Sequence, residues 1–291
     1  MSQSASANAD AAAAFSVPES MNDADLQSFI ALTHDWTGIQ LDEQKRAMLY
    51  TRLTRRLREH RLSSFADYID LLRNDRGEER EIFINTVTTN LTYFFREEHH
   101  FEFLRSEVLP ALERRGMRSP VRIWSAGCSS GEEPYSIAMT LSEAGFNDAQ
   151  GYRLLCTDLN TDMVYRTMQG EFRADSVRGL NETRQQTHFV QGQPGYIQAN
   201  DQLRSSMICK QLNLFGDWPI RSGVDVIFCR NVLIYFNGTQ QTQIVRGFAR
   251  LQEEGAHLFL GHSEAVRDVS DFYKRVGNTV FRRTATPVSG R

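Results

Sequence analysis

The hydrophobic pattern changes period near Arg96, and that change limits the folds open to the chain. From Met21 to about Asn90, apolar residues recur three and four positions apart, the spacing that keeps one helix face dry. In DADLQSFIALTHDW the stripe is Leu26, Phe29, Ile30 and Leu32 or Thr33. In SSFADYIDLLRN, serines suited to capping precede Phe65, Tyr68, Ile69 and Leu72. No strand signal interrupts, so 21–88 is expected to be a separate all-helical domain. Beyond Arg96, short β-prone runs appear: VRIW (121–124), YRLLCTD (152–158), VDVIFC (224–229) and AHLFLGH (256–262). The helical stretches EPYSIAMTLSEAG, TDMVYRTMQG and TQQTQIVRGFARLQEEG alternate with them. Strand and helix in alternation predict an α/β domain over 103–285, its mostly parallel sheet covered on both faces.

Three segments fall outside that rhythm. THFVQGQPGYIQANDQLRSSMICKQL has a Gly-Pro-rich turn and alternating residues, so 186–212 is expected to be a small inserted antiparallel β subdomain. FYKRVGNTVFRRT places a Gly-Asn turn between β-prone runs, as in a closing hairpin. Residues 89–102 link the two domains, residues 1–20 read as a disordered Ala/Ser leader, and 286–291 as a tail.

An open α/β sheet binds its ligand beyond the carboxyl ends of its strands. The first strand runs into IWSAGCSSGEEPYSIAM, with glycines at Gly127 and Gly131 before a helix, the plan of a phosphate-binding turn. That helix opens with Glu132 and Glu133, which would repel a phosphate at close range. The second strand ends in Asp158, the standard acceptor for two ribose hydroxyls, unless it only caps the next helix. A nucleoside carrying a cation in place of phosphate satisfies both observations. S-adenosylmethionine, with its sulfonium and α-amino group, is such a ligand; the plainer alternative is that the glutamates complement the helix dipole.

Five blocks, TTNLTYFFREEHHF, WSAGCSSGEEPYSIAM, CTDLN, LNLF and FCRNVLIYF, closely resemble the CheR family of chemoreceptor glutamate O-methyltransferases. The resemblance runs from roughly Asp25 to Arg283 and implies a Rossmann-like class I methyltransferase domain behind the all-α domain. It implies methyl transfer from S-adenosylmethionine to glutamate carboxylates on a chemoreceptor's cytoplasmic helices, leaving S-adenosylhomocysteine. Carried over, it places Asn90, Thr92 and Arg96 in the cofactor site, with the helical domain packed over the pocket. Gly127 belongs to the glycine turn, Glu133 lies beside the methionine portion and Asp158 on the ribose. Asn213 and Leu214 lie near the adenine, and Arg230 and Asn231 on the pocket floor. Arg96 and Tyr235 are the pair nearest the transferred methyl. A carboxylate is already ionised at neutral pH, so its methylation needs orientation by an arginine and a tyrosine hydroxyl, not a general base. Read without the resemblance, Arg96 instead pairs with Glu97 or Glu98 and Tyr235 is a core aromatic.

The run KRAMLYTRLTRRLREHR holds seven basic residues against Glu59, in a chain of formal net charge -3. On a helix, Lys45, Arg52 and Arg56 share a face; with Arg55 they offer a docking surface for acidic receptor helices, the alternative being a merely solvated face. Many CheR members also tether to a receptor C-terminal pentapeptide through the β subdomain. Here the turn QGQPGYIQAN is short and without nearby arginines, so no tether is expected. A nucleic-acid methyltransferase is the rival reading, but RNVLIYF lacks the Asn/Asp-Pro-Pro-Tyr signature of amino methylation. A non-catalytic S-adenosylmethionine-binding scaffold is a second rival, opposed by the presence of both Arg96 and Tyr235. Paired glutamates disfavour a dinucleotide oxidoreductase. No CxxC, HExxH or other ligand spacing occurs among the four cysteines and seven histidines, so neither a metal nor a disulfide is expected. With no signal peptide and no apolar run of spanning length, the chain reads as a cytoplasmic monomer that binds no nucleic acid and does not insert into membrane.

Overall fold

The computed structural model describes residues 17–75, 77–114, 120–146, 151–264 and 267–288. The chain divides into two compact units, Met1–Thr88 and Thr89–Arg291. Most of the expected leader and the last three residues of the tail lie outside the described residues.

Among the described residues of the first unit are four α-helices: α1 (Asp23–Thr37), α2 (Arg46–His60), α3 (Phe65–Asn74) and α4 (Glu78–Val87). Asn22 caps α1 by accepting the Asp25 N–H at 2.8 Å, and Gly38, at φ 78°, ends it in the left-handed conformation. Ser64 caps α3 as expected, and Phe65, Tyr68, Ile69 and Leu72 are all buried. On α1, Leu26 and Phe29 are buried but Ile30 is only half-buried. The stripe continues instead through Thr33 and Thr37, whose hydroxyls are satisfied by the Phe29 and Thr33 carbonyls. Phe29 packs edge-on against Phe65 at 6.0 Å and stacks on Phe83 at 5.9 Å, joining α1, α3 and α4.

Among the described residues of this unit, Glu79 is a charged group that lies buried. The Glu79 side chain, 7 % exposed, accepts from Arg56 through Nε (2.9 Å) and a terminal nitrogen (2.5 Å). It also accepts from the Tyr68 hydroxyl at 2.7 Å, with His60 Nε2 at 2.8 Å. Burial alone would raise its carboxyl; the hydrogen bonds from Arg56, Tyr68 and His60 outweigh burial and hold it below the ordinary value.

In the second unit, α5 (His99–Phe103) passes through one π-type turn, Leu104–Val108, into α6 (Leu109–Arg114). Then come β1 (Val121–Ala126), α7 (Glu132–Glu143), β2 (Tyr152–Asp158), α8 (Thr161–Gln169), β3 (Glu171–Arg173), α9 (Glu182–His188), β4 (Phe189–Gln191) and β5 (Tyr196–Ala199). After α10 (Asp201–Arg204) follow β6 (Met207–Gln211), β7 (Val226–Cys229), α11 (Gly238–Leu251), β8 (His257–Leu260), β9 (Tyr273–Gly277) and β10 (Val280–Arg283). The main sheet has the order β6-β2-β1-β7-β8-β10-β9. Its first five strands are parallel, and β10 runs antiparallel to both β8 and β9. Successive strands build outward one way through β1, β2 and β6, and the other way through β7 and β8. The order therefore reverses between β1 and β7, which opens a crevice at their carboxyl ends.

Several expectations are corrected. Met207–Gln211 is not part of the insertion: it pairs parallel with β2, Cys209 opposite Cys156, as an edge strand of the main sheet. Its polar–apolar alternation is that of an edge strand half open to solvent, which resembles an antiparallel strand in sequence. The antiparallel insertion is the three-stranded sheet β3-β5-β4, which begins earlier, at Glu171. Its first strand also sets Arg173 opposite Tyr196, beside the turn thought to lack arginines; Arg173 is paired there with Asp175 at 3.1 Å. The closing hairpin turns at Asn278–Thr279, one residue later than expected, with Thr279 at φ 52°. Gly277 ends β9, where a Cβ would lie 3.1 Å from the Phe103 ring.

Replacing Glu79 with Ala leaves the Tyr68 hydroxyl without its acceptor and Arg56 with Glu59 alone, and chemical denaturation should show a loss of about 1–3 kcal/mol. Because the native carboxyl is held down, the advantage of the wild type is complete above the ordinary value of 4.5 and shrinks as pH falls through the lower native value.

Candidate functional site

The glycine turn after β1 is held from below by backbone bonds. The N–H groups of Gly127 and Cys128 donate to the Thr157 carbonyl at 2.8 and 2.9 Å, and Gly131 N–H donates to the Cys128 carbonyl at 3.1 Å. Gly127 has φ 98°, and a Cβ on it would overlap the Val232 side chain beyond β7, so only glycine fits. Asp158, at the end of β2, is half-buried. One oxygen accepts the Ser129 N–H at 2.8 Å and the other the Asn160 N–H at 2.9 Å. The helix cap that was its alternative role is taken by Asn160, whose Oδ1 accepts from Asp162 and Met163. Asp158 is thus fixed in direction with lone pairs left for hydroxyl donors. Burial pushes its carboxyl up, partly offset by these backbone donors.

The two glutamates of α7 have different tasks. Glu132 accepts from Ser130 Oγ at 2.6 Å and stays half-buried. Glu133 turns inward, accepts from Ser125 Oγ at 2.7 Å and pairs with Arg230 at 3.2 Å. Burial raises its carboxyl, and Arg230 opposes that rise. The Arg230 side chain, 2 % exposed, also faces Glu97 at 3.5 Å and donates to the Arg96 carbonyl. The cluster therefore holds two carboxylates against one guanidinium and favours a cationic ligand over a phosphate.

Arg96 is half-buried between Phe95 and Glu97, both in left-handed backbone at φ 54° and 56°. Its guanidinium donates to the Leu91 carbonyl at 3.0 Å and lies 5.9 Å from the centre of the Tyr93 ring. Among the described residues it pairs with no carboxylate, so neither Glu97 nor Glu98 takes the partner role considered from sequence. This segment is fastened to the glycine turn, Ser129 Oγ donating to the Asn90 carbonyl at 3.2 Å, and to α7, Phe95 N–H donating to Ser136 Oγ at 2.9 Å. Asn90 and Thr92 are half-buried on it. At the end of β6, Asn213 Oδ1 accepts the Phe215 N–H at 2.9 Å, and Leu214 is buried. After β7 come Asn231, at φ 59°, and the single turn Leu233–Tyr235. Tyr235 is half-buried and packs against the core rather than within it.

Sequence reasoning missed Glu264. Its buried carboxylate accepts the N–H groups of Val232 and Leu233 at 2.7 Å each, and that of Gly261. It thereby fixes the turn that carries Asn231 and Tyr235. A lone glutamate in the polar run GHSE carries no local signal of that task.

The basic residues of α2 are divided by the fold. Arg52 donates to the Thr86 and Thr88 carbonyls at 3.0 and 2.7 Å, and Arg56 is the partner of Glu79. Both are structural, which corrects the expectation of one docking face shared by Lys45, Arg52 and Arg56. Lys45 is exposed, and so is Arg55, though it pairs with Glu59 at 2.9 Å; Arg58 and Arg61 are exposed as well.

Replacing Glu264 with Ala leaves three backbone donors without their acceptor, so thermal unfolding should show a loss of about 2–4 kcal/mol.

The strand order and the antiparallel strand β10 give a Rossmann-like class I methyltransferase domain, preceded in the chain by an all-α domain. Residues 90–282 match the family described as CheR methyltransferase, SAM binding domain, where SAM is S-adenosylmethionine. Residues 24–88 match CheR methyltransferase, all-alpha domain. A chemotaxis protein methyltransferase 2 of Pseudomonas aeruginosa is 40% identical, covering 84% of this chain and 88% of that one. A probable chemotaxis protein methyltransferase of Rhizobium etli is 38% identical over 85% and 95%. The chemotaxis protein methyltransferase of Escherichia coli is 36% identical over 90% and 91%. No helix among the described residues is long and apolar enough to cross a membrane. Matched in both units and aligned with such relatives along most of their length, the chain belongs to the CheR methyltransferase family.

Proposed function

We propose that this S-adenosylmethionine-binding protein methylates glutamate side chains on the cytoplasmic helices of a chemoreceptor, forming methyl esters. The observation that carries this reading is Arg96: a guanidinium held by the Leu91 carbonyl, on a segment fastened to the glycine turn through Asn90, that pairs with no carboxylate among the described residues. The relatives' names, as chemotaxis protein methyltransferases, support a substrate from that system.

When bound, S-adenosylmethionine supplies a methyl group made electrophilic by its sulfonium. Asp158 accepts from ribose hydroxyls, and Asn213 and Leu214 border the adenine. Asn90, Thr92 and Gly127 close the pocket wall, and Arg230 and Asn231 its floor. Glu133, turned inward from α7, lies beside the cationic methionine portion. The acceptor glutamate is ionised at neutral pH, so no base is required. Arg96 grips its carboxylate by paired hydrogen bonds and Tyr235 adds another, holding one oxygen in line at about 3–3.5 Å from the carbon it attacks. Lys45 and Arg55, with Arg58 and Arg61, offer positive charge to the acidic receptor helices, so docking weakens as salt rises. The protein acts as a cytoplasmic monomer, without nucleic acid.

Incubation with labelled cofactor and receptor cytoplasmic fragments should give base-labile label on glutamate; label in nucleic acid, or none on any receptor, would refute the proposal. Replacing Arg96 with Ala should lower kcat by about 10²–10³-fold, since oriented charge contributes mainly in the transition state. Its effect on S-adenosylhomocysteine affinity should stay within a few-fold. Replacing Asp158 with Ala should reverse that balance, calorimetry showing affinity lower by about 10–100-fold for one lost charged acceptor.

A further inference from the structure

The sequence offers no metal-ligand spacing, yet the fold assembles a ligand set from distant segments of the second unit. Glu97 and His99 lie where the segment carrying Arg96 enters α5, and His262 lies in the loop after β8. One carboxylate oxygen and one ring nitrogen from each histidine lie within 4.8 Å of one another. The Glu97 Oε2 to His262 Nδ1 distance is 3.7 Å, and the two rings stand edge to face at 5.4 Å. Glu97 Oε2 and His99 Nε2 are shielded from solvent and make no hydrogen bond, Oε2 lying 3.5 Å from both Arg230 and His100 Nδ1. Buried polar atoms in that condition are uncommon in a folded protein and mark a place where a partner is expected. Glu97 also holds a left-handed backbone, φ 56°, which costs free energy and sets the direction of its carboxylate.

We propose that Glu97, His99 and His262 bind one Zn²⁺ ion, with a solvent molecule as fourth ligand. Two imidazoles and a carboxylate suit zinc or a neighbouring transition ion far better than Mg²⁺ or Ca²⁺, which select oxygen donors. Bonds of about 2.0–2.2 Å in tetrahedral geometry require the three donor atoms to draw together by about an ångström. His262, with a side chain 60% exposed, has the freedom to do this. Arg230, 3.5 Å from Glu97 Oε2, is the competing cation; its charge is shared with Glu133, so Glu97 can turn to the ion without leaving the guanidinium unpaired. The ion braces the segment of Arg96 against the loop of Glu264, which holds the turn carrying Asn231 and Tyr235. This inference stands apart from the identity of the methylated substrate, because its readout is metal binding alone.

The test is titration of the metal-free full-length protein with Co²⁺, followed by the visible ligand-field absorption of four-coordinate cobalt. The wild type should saturate at a single equivalent, and Zn²⁺ should displace the signal. Replacing His262 with Ala should abolish the bands, and Glu97→Gln or His99→Gln should weaken binding at least tenfold. Circular dichroism checks that each variant is folded, and the exposed His262 is the position least needed for packing. Absence of the bands in the wild type, or equal binding by the His262 variant, would overturn the proposal.

Discussion

A buried guanidinium organises the second unit. Arg230 leaves the end of β7, pairs with Glu133 at the start of α7 and with Glu97, and donates to the Arg96 carbonyl. A strand, a helix and the segment carrying Arg96 are thereby registered on one charge. An isolated guanidinium at that depth would be prohibitively costly, so it requires a carboxylate beside it. The left-handed residues on either side of Arg96 belong to this constraint: the chain must turn sharply there to offer its carbonyl inward while leaving the Arg96 side chain outside the cluster.

The strand ends around this cluster are built to hold direction rather than to supply reactivity. The carbonyl of Thr157 anchors the glycine turn, Ser129 and Asn160 aim Asp158, and Glu264 pins the turn after β7. Carboxylates fixed by backbone N–H groups cannot swing away when a ligand arrives, so little reorganisation remains to be made on binding. That suits methyl transfer, a reaction governed by alignment.

The helical unit shows how a charge run misleads when read alone. Seven basic residues in KRAMLYTRLTRRLREHR suggest an open positive face, but Arg56 is spent on Glu79 and Arg52 on two helix-end carbonyls. A long arginine can lie along a helix and deliver its head to an interior acid as readily as to solvent. The exposed cations of the run are therefore fewer than it implies: Lys45, Arg55, Arg58 and Arg61.

Periodicity alone determined the two-part organisation, the stripe from Phe65 to Leu72, the parallel strands β1, β2, β7 and β8, and the glycine turn with its glutamates and Asp158. These are local signals: side-chain spacing sets which face is dry, and positive φ or a strand-end acid is written within a few residues. Tertiary structure alone decided that Met207–Gln211 joins the main sheet, that Asn160 and not Asp158 caps α8, that Arg56 is interior, and that Glu264 supports the turn beyond β7. It also brought Glu97 and His99 to His262. Each of these depends on which distant segment becomes a neighbour, and a side chain's local pattern is the same whether that neighbour is solvent, a backbone donor or an opposite charge.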